Sequence, residues 1–281
     1  MPRKHNIIIV GNGLFGSVAA ALAESQGHTV TLISESRKYE ASPASGCVLA
    51  PSWLSSLPKA DVANAMSVLG SLYKLHPLEF QTNLFKTFKA QRVHTADVLR
   101  KPDFNLKVTE VGDGVVKAVD NLGGVHTYKG AVLVAAGIWC GELLRDLPPI
   151  RGLYGASLRV TGQLPHPKLN VYAPYRQAVA FNMDKKSIWV GDGTALIQKT
   201  WEPEVDARVL KTQQRAKVMV GHALDAKGKV KVIAGARPYV EGHKAGYLQR
   251  VSPKTWVSTG GAKNGTVLAA HQAYQFLKSL S

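Results

Sequence analysis

The stretch IIIVGNGLFGSVAAALAESQGHTVTLISES, residues 7–36, constrains the fold more than any other part of the chain. Ile7, Ile8, Ile9 and Val10 are β-branched and unbroken by polar residues, the pattern of a strand buried on both faces. Gly11, Gly13 and Gly16 follow as G-x-G-x-x-G, with Leu14 and Phe15 between the last two. In such a turn the first glycine makes the reversal, the second lets backbone approach a pyrophosphate, and the third lets a helix pack on the sheet. Small apolar residues over 18–23 continue as a helix, Gly27 ends it, and 29–33 supply a second strand. A phosphate would then sit at a helix N-terminus, where free N–H groups and the dipole favour an anion. The expected class is α/β, with a parallel sheet that binds a dinucleotide.

One position breaks the pattern. An acid about 20 residues past the glycines usually binds the ribose hydroxyls, yet the strand end carries Ser34, with Glu35 one place later. Two readings stand: Ser34 makes a weak contact while Glu35 reaches in from the turn, or Glu35 is a solvated loop residue and adenosine binding is weakened.

The chain has 281 residues, 45% of them apolar, enough for a large core arranged as one or two interleaved domains. No apolar run reaches the length that crosses a bilayer, and the first strand begins within a few residues of Met1, so a cytoplasmic protein of a bacterial or phage-infected cell is expected. The cysteines, Cys47 and Cys140, lack a C-x-x-C or His neighbour, and no metal site is expected. The charge is unusual: 35 Lys+Arg against 19 Asp+Glu give a net charge of +16. Such an excess steers polyanions toward a surface, although basic composition can also serve solubility alone. The candidate patches are Lys86, Lys89 and Arg92; Arg100 and Lys101; Lys211, Arg215 and Lys217; and Lys227, Lys229 and Lys231.

Along the chain, 59–74 and 78–89 read as helical. Alternating apolar residues over 105–137, broken at Gly112-Asp113-Gly114 and Gly123-Gly124, read as strands joined by tight turns. Residues 151–193 are again strand-like, 205–220 form an amphipathic helix, strands follow at 230–233 and 256–259, and a helix over 267–280 closes the chain.

Five segments resemble the flavoprotein oxidases typified by D-amino acid oxidase, glycine oxidase and sarcosine oxidase. They are the glycine turn, ASPASGCVLAP (41–51), VLVAAGIWCGELL (132–144), AGARPYVEG (234–242) and TGGAKNGTVLAA (259–270). The resemblance implies a Rossmann-type, glutathione reductase-like FAD domain (1–50, 95–150, 234–281) interleaved with a reduced antiparallel-sheet substrate domain (51–94, 151–233). It also implies FAD as cofactor. Ser45, Gly46, Cys47, Val48 and Leu49 are similar to the loop that passes the ribityl chain and flavin ring. Val108 resembles the residue whose main chain reads adenine, and Ala136 and Gly137 resemble the strand end beneath the pyrophosphate. Gly260, Gly261, Lys263, Asn264, Gly265 and Thr266 resemble the turn that faces the flavin pyrimidine. Arg237 stands where the family grips the substrate carboxylate, and Tyr175 in YAPYR is a second candidate at the substrate, against a plain packing role. The departures are Gly261 and Ala262, where relatives carry bulkier residues, Lys263 in place of Arg, and a short segment after Pro51.

The implied reaction is oxidation of a glycine-like amine. Its substrate is either a group carried on a DNA or tRNA base, as in the oxidase half of tRNA wobble-uridine modification enzymes and in phage DNA hypermodification lyases, or a free small amino acid such as glycine or sarcosine. In the first case the products are glyoxylate and an aminomethyl base. A non-catalytic flavin- and nucleic-acid-binding protein is the reading from a different class.

Overall fold

A computed structural model describes residues 3–38, 40–50, 54–82, 87–164, 170–173, 178–192, 196–198, 214, 229–262 and 264–280. Strands and helices are numbered along the chain. The opening motif folds as read: β1 (Asn6–Val10), α1 (Leu14–Ser25) and β2 (Thr29–Ser34), with β1 and β2 parallel and Ile7 beside Val30. Two glycines make this packing possible. Gly11 has φ +102°, and a Cβ there would stand 2.6 Å from the Ala135 carbonyl oxygen. A Cβ on Gly16 would stand 1.8 Å from the Gly11 carbonyl oxygen, so only glycine lets the helix lie this close to the turn.

β1 is central in a six-stranded sheet ordered β17 (Tyr247–Ser252), β18 (Thr255–Thr259), β10 (Ala131–Val134), β1, β2, β6 (Phe104–Asn105). Only β17 runs antiparallel to its neighbour. Alternation along β1 feeds two cores. Ile7 and Ile9 pack with α1 and with α5 (Gly265–Lys278), while Ile8 and Val10 pack with Val108, Val116 and Val134. Each of these fully buried isoleucines contributes about 1.5–3 kcal/mol. The second core is capped by β7 (Lys107–Gly112), β8 (Val115–Val119) and β9 (Val125–Lys129), an antiparallel meander whose turns fall at the expected Gly-Asp-Gly and Gly-Gly.

The remaining strands form a nine-stranded sheet: β15 (Leu196–Gln198), β11 (Ile150–Thr161), β14 (Ser187–Asp192), β13 (Ala178–Asn182), β12 (Asn170–Ala173), β4 (His76–Thr82), β5 (Thr87–Arg92) and β3 (Val48–Leu49), with β16 (Val230–Val240) also paired to β11. It is antiparallel except for β12 beside β4. Here 78–89 differs from the helical reading. Leu78 and Phe80 are buried while Glu79 between them is exposed, a period of two that selects β4. β16 is one unbroken strand through 233 and 234. α2 (Lys59–Leu72) matches its reading and packs on α5, and two short helices, α3 (Thr95–Val98) and α4 (Cys140–Leu143), follow β5 and β10. The helix expected over 205–220 lies outside the described residues. Among the described residues no helix is long and apolar enough to cross a membrane.

Candidate active site

The carboxyl ends of β1, β2, β10 and β18 open into a cavity of about 480 Å³. Strand order reverses about β1, which lies between β2 and β10, and such a switch point is where an open parallel sheet has a crevice. Gly11, Gly13, Leu14 and Phe15 form one wall. The Leu14 N–H donates to Ser42 Oγ at 2.9 Å, which fastens the 42–45 loop across the start of α1. Asn264, Gly265 and Thr266 at the start of α5 line the same cavity, so two helix N-termini add positive potential to it.

At one end stand Ser34, Glu35 and Val108. The Ser34 hydroxyl donates to the Glu35 carbonyl at 3.4 Å. The Glu35 carboxylate accepts from Arg37 Nε at 2.6 Å, and Arg37 also donates to Glu142 at 2.7 Å and lies over the Trp139 ring. Burial pulls the Arg37 pKa down, but its bonds to Glu142 and Glu35 outweigh that and leave it raised. Glu35 lines the cleft beside Ser34, with its carboxylate held by Arg37.

The cavity is lined further by Ser45, Gly46, Cys47 and Val48, by Ala136 and Gly137 beside the glycine turn, and by Arg237. Cys47 adopts φ +45°, and its N–H donates to Ser45 Oγ at 3.1 Å. Thr95 Oγ1 donates to the Ser45 carbonyl at 2.9 Å and so pins the loop from α3. Arg237 lies opposite Leu153 on β16, with its guanidinium 3.0 Å from where a Cβ on Gly155 would stand. Trp189 closes the facing side: its ring lies over Gly191, comes within 3.1 Å of the Cβ position of Gly46, and stacks on Phe181 at 5.1 Å.

The last turn explains a departure noted in the sequence. A Cβ on Gly261 would stand 2.6 Å from the Phe15 ring and 2.9 Å from the Gly265 Cα, so Phe15 occupies the space that a bulkier residue would need. Ala262 has φ +40°, and its N–H donates to the Pro238 carbonyl at 3.0 Å, tying this turn to the strand that carries Arg237. Gly16, Leu49 and Gly260 stand behind the cavity wall, with Leu49 fully buried. Lys263 and Tyr175 lie outside the described residues. Sequence reasoning missed Ser42, Arg37, Trp139 and Trp189. For Trp189 a signal existed: in a strand, Trp189 and Gly191 share a face, and a large ring beside a glycine marks a covered niche.

The basic patches change as well. Lys89, Lys101, Lys229 and Lys231 are exposed. Arg92 is buried, donates to the Met183 carbonyl and lies 5.3 Å from the Phe181 ring centre, because its position on β5 faces inward; burial lowers its pKa while Asp184 raises it. Arg100 is paired with Glu24 at 2.6 Å and Asp103 at 3.3 Å. Lys86, Lys211, Arg215, Lys217 and Lys227 lie outside the described residues. Among the described residues no three His, Cys, Asp or Glu side chains gather as a metal site.

No family model matches the sequence, and no curated protein matches it. Solved structures do. Iminodiacetate oxidase from Chelativorans sp. BNC1 is 15% identical with a TM-score of 0.68, over 95% of this chain and 93% of that one. Glycine oxidase from Geobacillus kaustophilus is 15% identical with a TM-score of 0.70, over 98% and 94%. An FAD-dependent oxidoreductase from Pseudomonas aeruginosa is 15% identical with a TM-score of 0.66, over 100% and 92%. Identity this low speaks to fold, and across nearly its whole length the chain has the fold of the glycine oxidase-like FAD-dependent oxidoreductases.

Proposed function

We propose that the chain is an FAD-dependent oxidase of a glycine-like amine that carries a carboxylate. The observation that carries this reading is the position of Arg237: its guanidinium faces the same cavity as the glycine turn, the 45–48 loop and the start of α5. The cavity residues fit FAD. Gly11 and Gly13 bare the backbone where a pyrophosphate approaches, two helix N-termini favour its charge, and Glu35 is held at the end expected for the adenosine ribose. Bound FAD supplies a hydride acceptor for the carbon beside the substrate nitrogen.

The chain's own task is placement. Arg237 presents parallel N–H donors to the two carboxylate oxygens, which fixes that end of the substrate within the cleft that Gly46 and Cys47 also line. Trp189 covers the niche and excludes water while the C–H bond is broken. The N–H groups at Gly265 and Thr266 stabilise negative charge on the far side. Loss of two electrons and two protons turns the amine into an imine, and addition of water then gives a carbonyl compound and the freed amine. A glycyl group thus leaves as glyoxylate.

Two carriers of that group have support. The names of the structural neighbours, glycine oxidase and iminodiacetate oxidase, favour a free small acid. The net charge of +16, with exposed Lys89, Lys101, Lys229 and Lys231, favours a nucleic-acid base, and DNA or tRNA as partner. Anaerobic holoprotein is mixed with glycine, sarcosine, iminodiacetate or a glycyl-modified oligonucleotide, and flavin absorbance is followed. Bleaching by at least one carboxylated amine, with release of glyoxylate, is expected. Which of them bleaches fastest assigns the carrier. Absence of bleaching by all four would reduce the chain to a non-catalytic binding protein.

A further inference from the structure

In the antiparallel pairing of β11 with β16, Arg159 stands directly opposite Lys231. Opposed residues in such a pair have Cβ atoms about 4.5–5.5 Å apart, and like charges there destabilise the sheet. Neither side chain has an ion-pair or hydrogen-bond partner among the described residues, and Arg159 Nε is buried without one. A buried donor left without a partner is unfavourable, and an acceptor placed there would relieve it. Both cations line a second, open hollow that Pro43, Thr95, Ala96 and Leu99 also line. Pro43 and Leu99 also line the main cleft, and the Ser157 hydroxyl donates to the Ala44 carbonyl at 2.9 Å where the loop meets the sheet between the two hollows. A cross-strand cation pair beside a hollow, with a donor left over, carries the charge and the N–H groups that an oxyanion needs.

We propose that Arg159 and Lys231 form a phosphate-binding site on the flank of the cofactor cleft. A guanidinium gives a phosphate two parallel donors and the ammonium a point charge, which suits a tetrahedral dianion better than a planar carboxylate. Arg159 is four residues along β11 from Gly155, over which Arg237 lies, so the two anion sites are about 13 Å apart along the strand. A single small amino acid does not span that distance. Ser157, midway between them on the same face of β11, is bonded to the Ala44 carbonyl, so the loop separates the two sites and the phosphate is held apart from the substrate carboxylate, a step that rests on the proposed amine oxidation.

The test uses FAD-saturated protein and needs no turnover. Binding of inorganic phosphate and of a thymidine tetranucleotide is measured by calorimetry at fixed ionic strength, in the unaltered protein and in Lys231→Met, Arg159→Met and the double variant. Lys101→Met is the charge control. Each single variant is expected to weaken phosphate binding about ten-fold and the double variant to abolish it, with less than a two-fold change for Lys101→Met. Because Lys231 is exposed, Lys231→Met carries the test even if Arg159→Met does not fold. Tighter binding of the tetranucleotide than of inorganic phosphate, lost with Lys231, assigns a phosphate carried on a nucleic acid. Equal binding assigns a small phosphorylated molecule or the free ion to the same site. Equal loss in the Lys101 control, no binding in the unaltered protein, or unchanged binding in the double variant overturns the proposal. Failure of the flavin to bleach with any amine, with phosphate still bound, overturns the proposed reaction and leaves this site standing.

Discussion

Alanine at Gly16 separates two roles that the glycine turn combines. Its methyl group would stand 1.8 Å from the Gly11 carbonyl oxygen, where ordinary contact begins at 3.4 Å, so α1 and the turn must part by about 1.6 Å. No rotamer relieves this, since the opposing atom is backbone and the turn is itself held against Ala135. Overpacking of a core costs about 1–3 kcal/mol. Here the rigid partner puts the cost near 4 kcal/mol, in the range reserved for backbone conflicts, and the better helix propensity of alanine returns about 1. A net loss of about 3 kcal/mol lowers the melting temperature by about 6–12 °C. Gly13→Ala is the counterpart. Gly13 has φ −65°, which alanine accepts, and its Cβ would meet only the Ser42 side chain, with Oγ at 3.0 Å. The fold should then melt within about 3 °C of the unaltered protein. The methyl stands where a pyrophosphate must approach, so FAD affinity should fall at least ten-fold, about 1.4 kcal/mol. Calorimetric melting of the apoprotein and quenching of FAD fluorescence measure the two effects separately. A Gly16→Ala protein that melts normally, or a Gly13→Ala protein that binds FAD normally, would refute this division of roles.

Other perturbations follow from the same geometry. Arg237→Met should leave FAD bound and weaken capture of a carboxylated amine by about 2–5 kcal/mol, read as the concentration dependence of flavin reduction; unchanged dependence would remove Arg237 from the substrate. Burial first, then the neighbouring His94, Arg92 and Lys74, lower the His76 pKa from its ordinary 6.5 against the pull of Asp97. The unfolded chain then takes up this proton at higher pH than the folded one, so the contribution of His76 to stability is complete above about pH 6.5 and is lost as pH falls below it. Melting temperatures between pH 7.5 and 5 should show that fall and His76→Asn should lessen it, with burial of His28, which also lowers its pKa, supplying the rest, whereas a rise on acidification would contradict the argument. Arg92→Glu, which buries the wrong charge beside Phe181, should cost about 3–5 kcal/mol in denaturant unfolding. Lys89→Gln on the exposed face of the same strand, which sets no like charge opposite Glu79, should stay within about 0.5 kcal/mol.

The parallel sheet was legible because both of its faces are buried. Ile7–Val10 and Val132–Val134 have no polar residue to interrupt them, and three glycines mark the one place where backbone must touch backbone. The glycine-lined wall of the cleft was legible for the same reason, since close approach of backbone leaves glycines in the sequence. The residues that complete it were not, because side chains supply them from distant strands. Trp189 reaches Gly46 only through the register of β14 on β11, and Arg37 reaches Glu142 across a separation of 105 residues. The segment 78–89 misled because Leu78, Phe80, Phe85 and Phe88 fit a helical spacing nearly as well as a pleated one. Pairing with β3 and β12 decided between them. Arg92 misled for a related reason: a charge counted in a patch can point inward when its strand position does.

The most direct measurement of the central claim is the chromophore itself. Protein purified without added cofactor, or after reconstitution, is denatured, and the released molecule is identified by its absorption and mass. The account predicts FAD, retained by the folded chain and lost on unfolding, with weaker retention in Gly13→Ala. Release of a nicotinamide dinucleotide alone, or a colourless protein that takes up no added FAD, would contradict it.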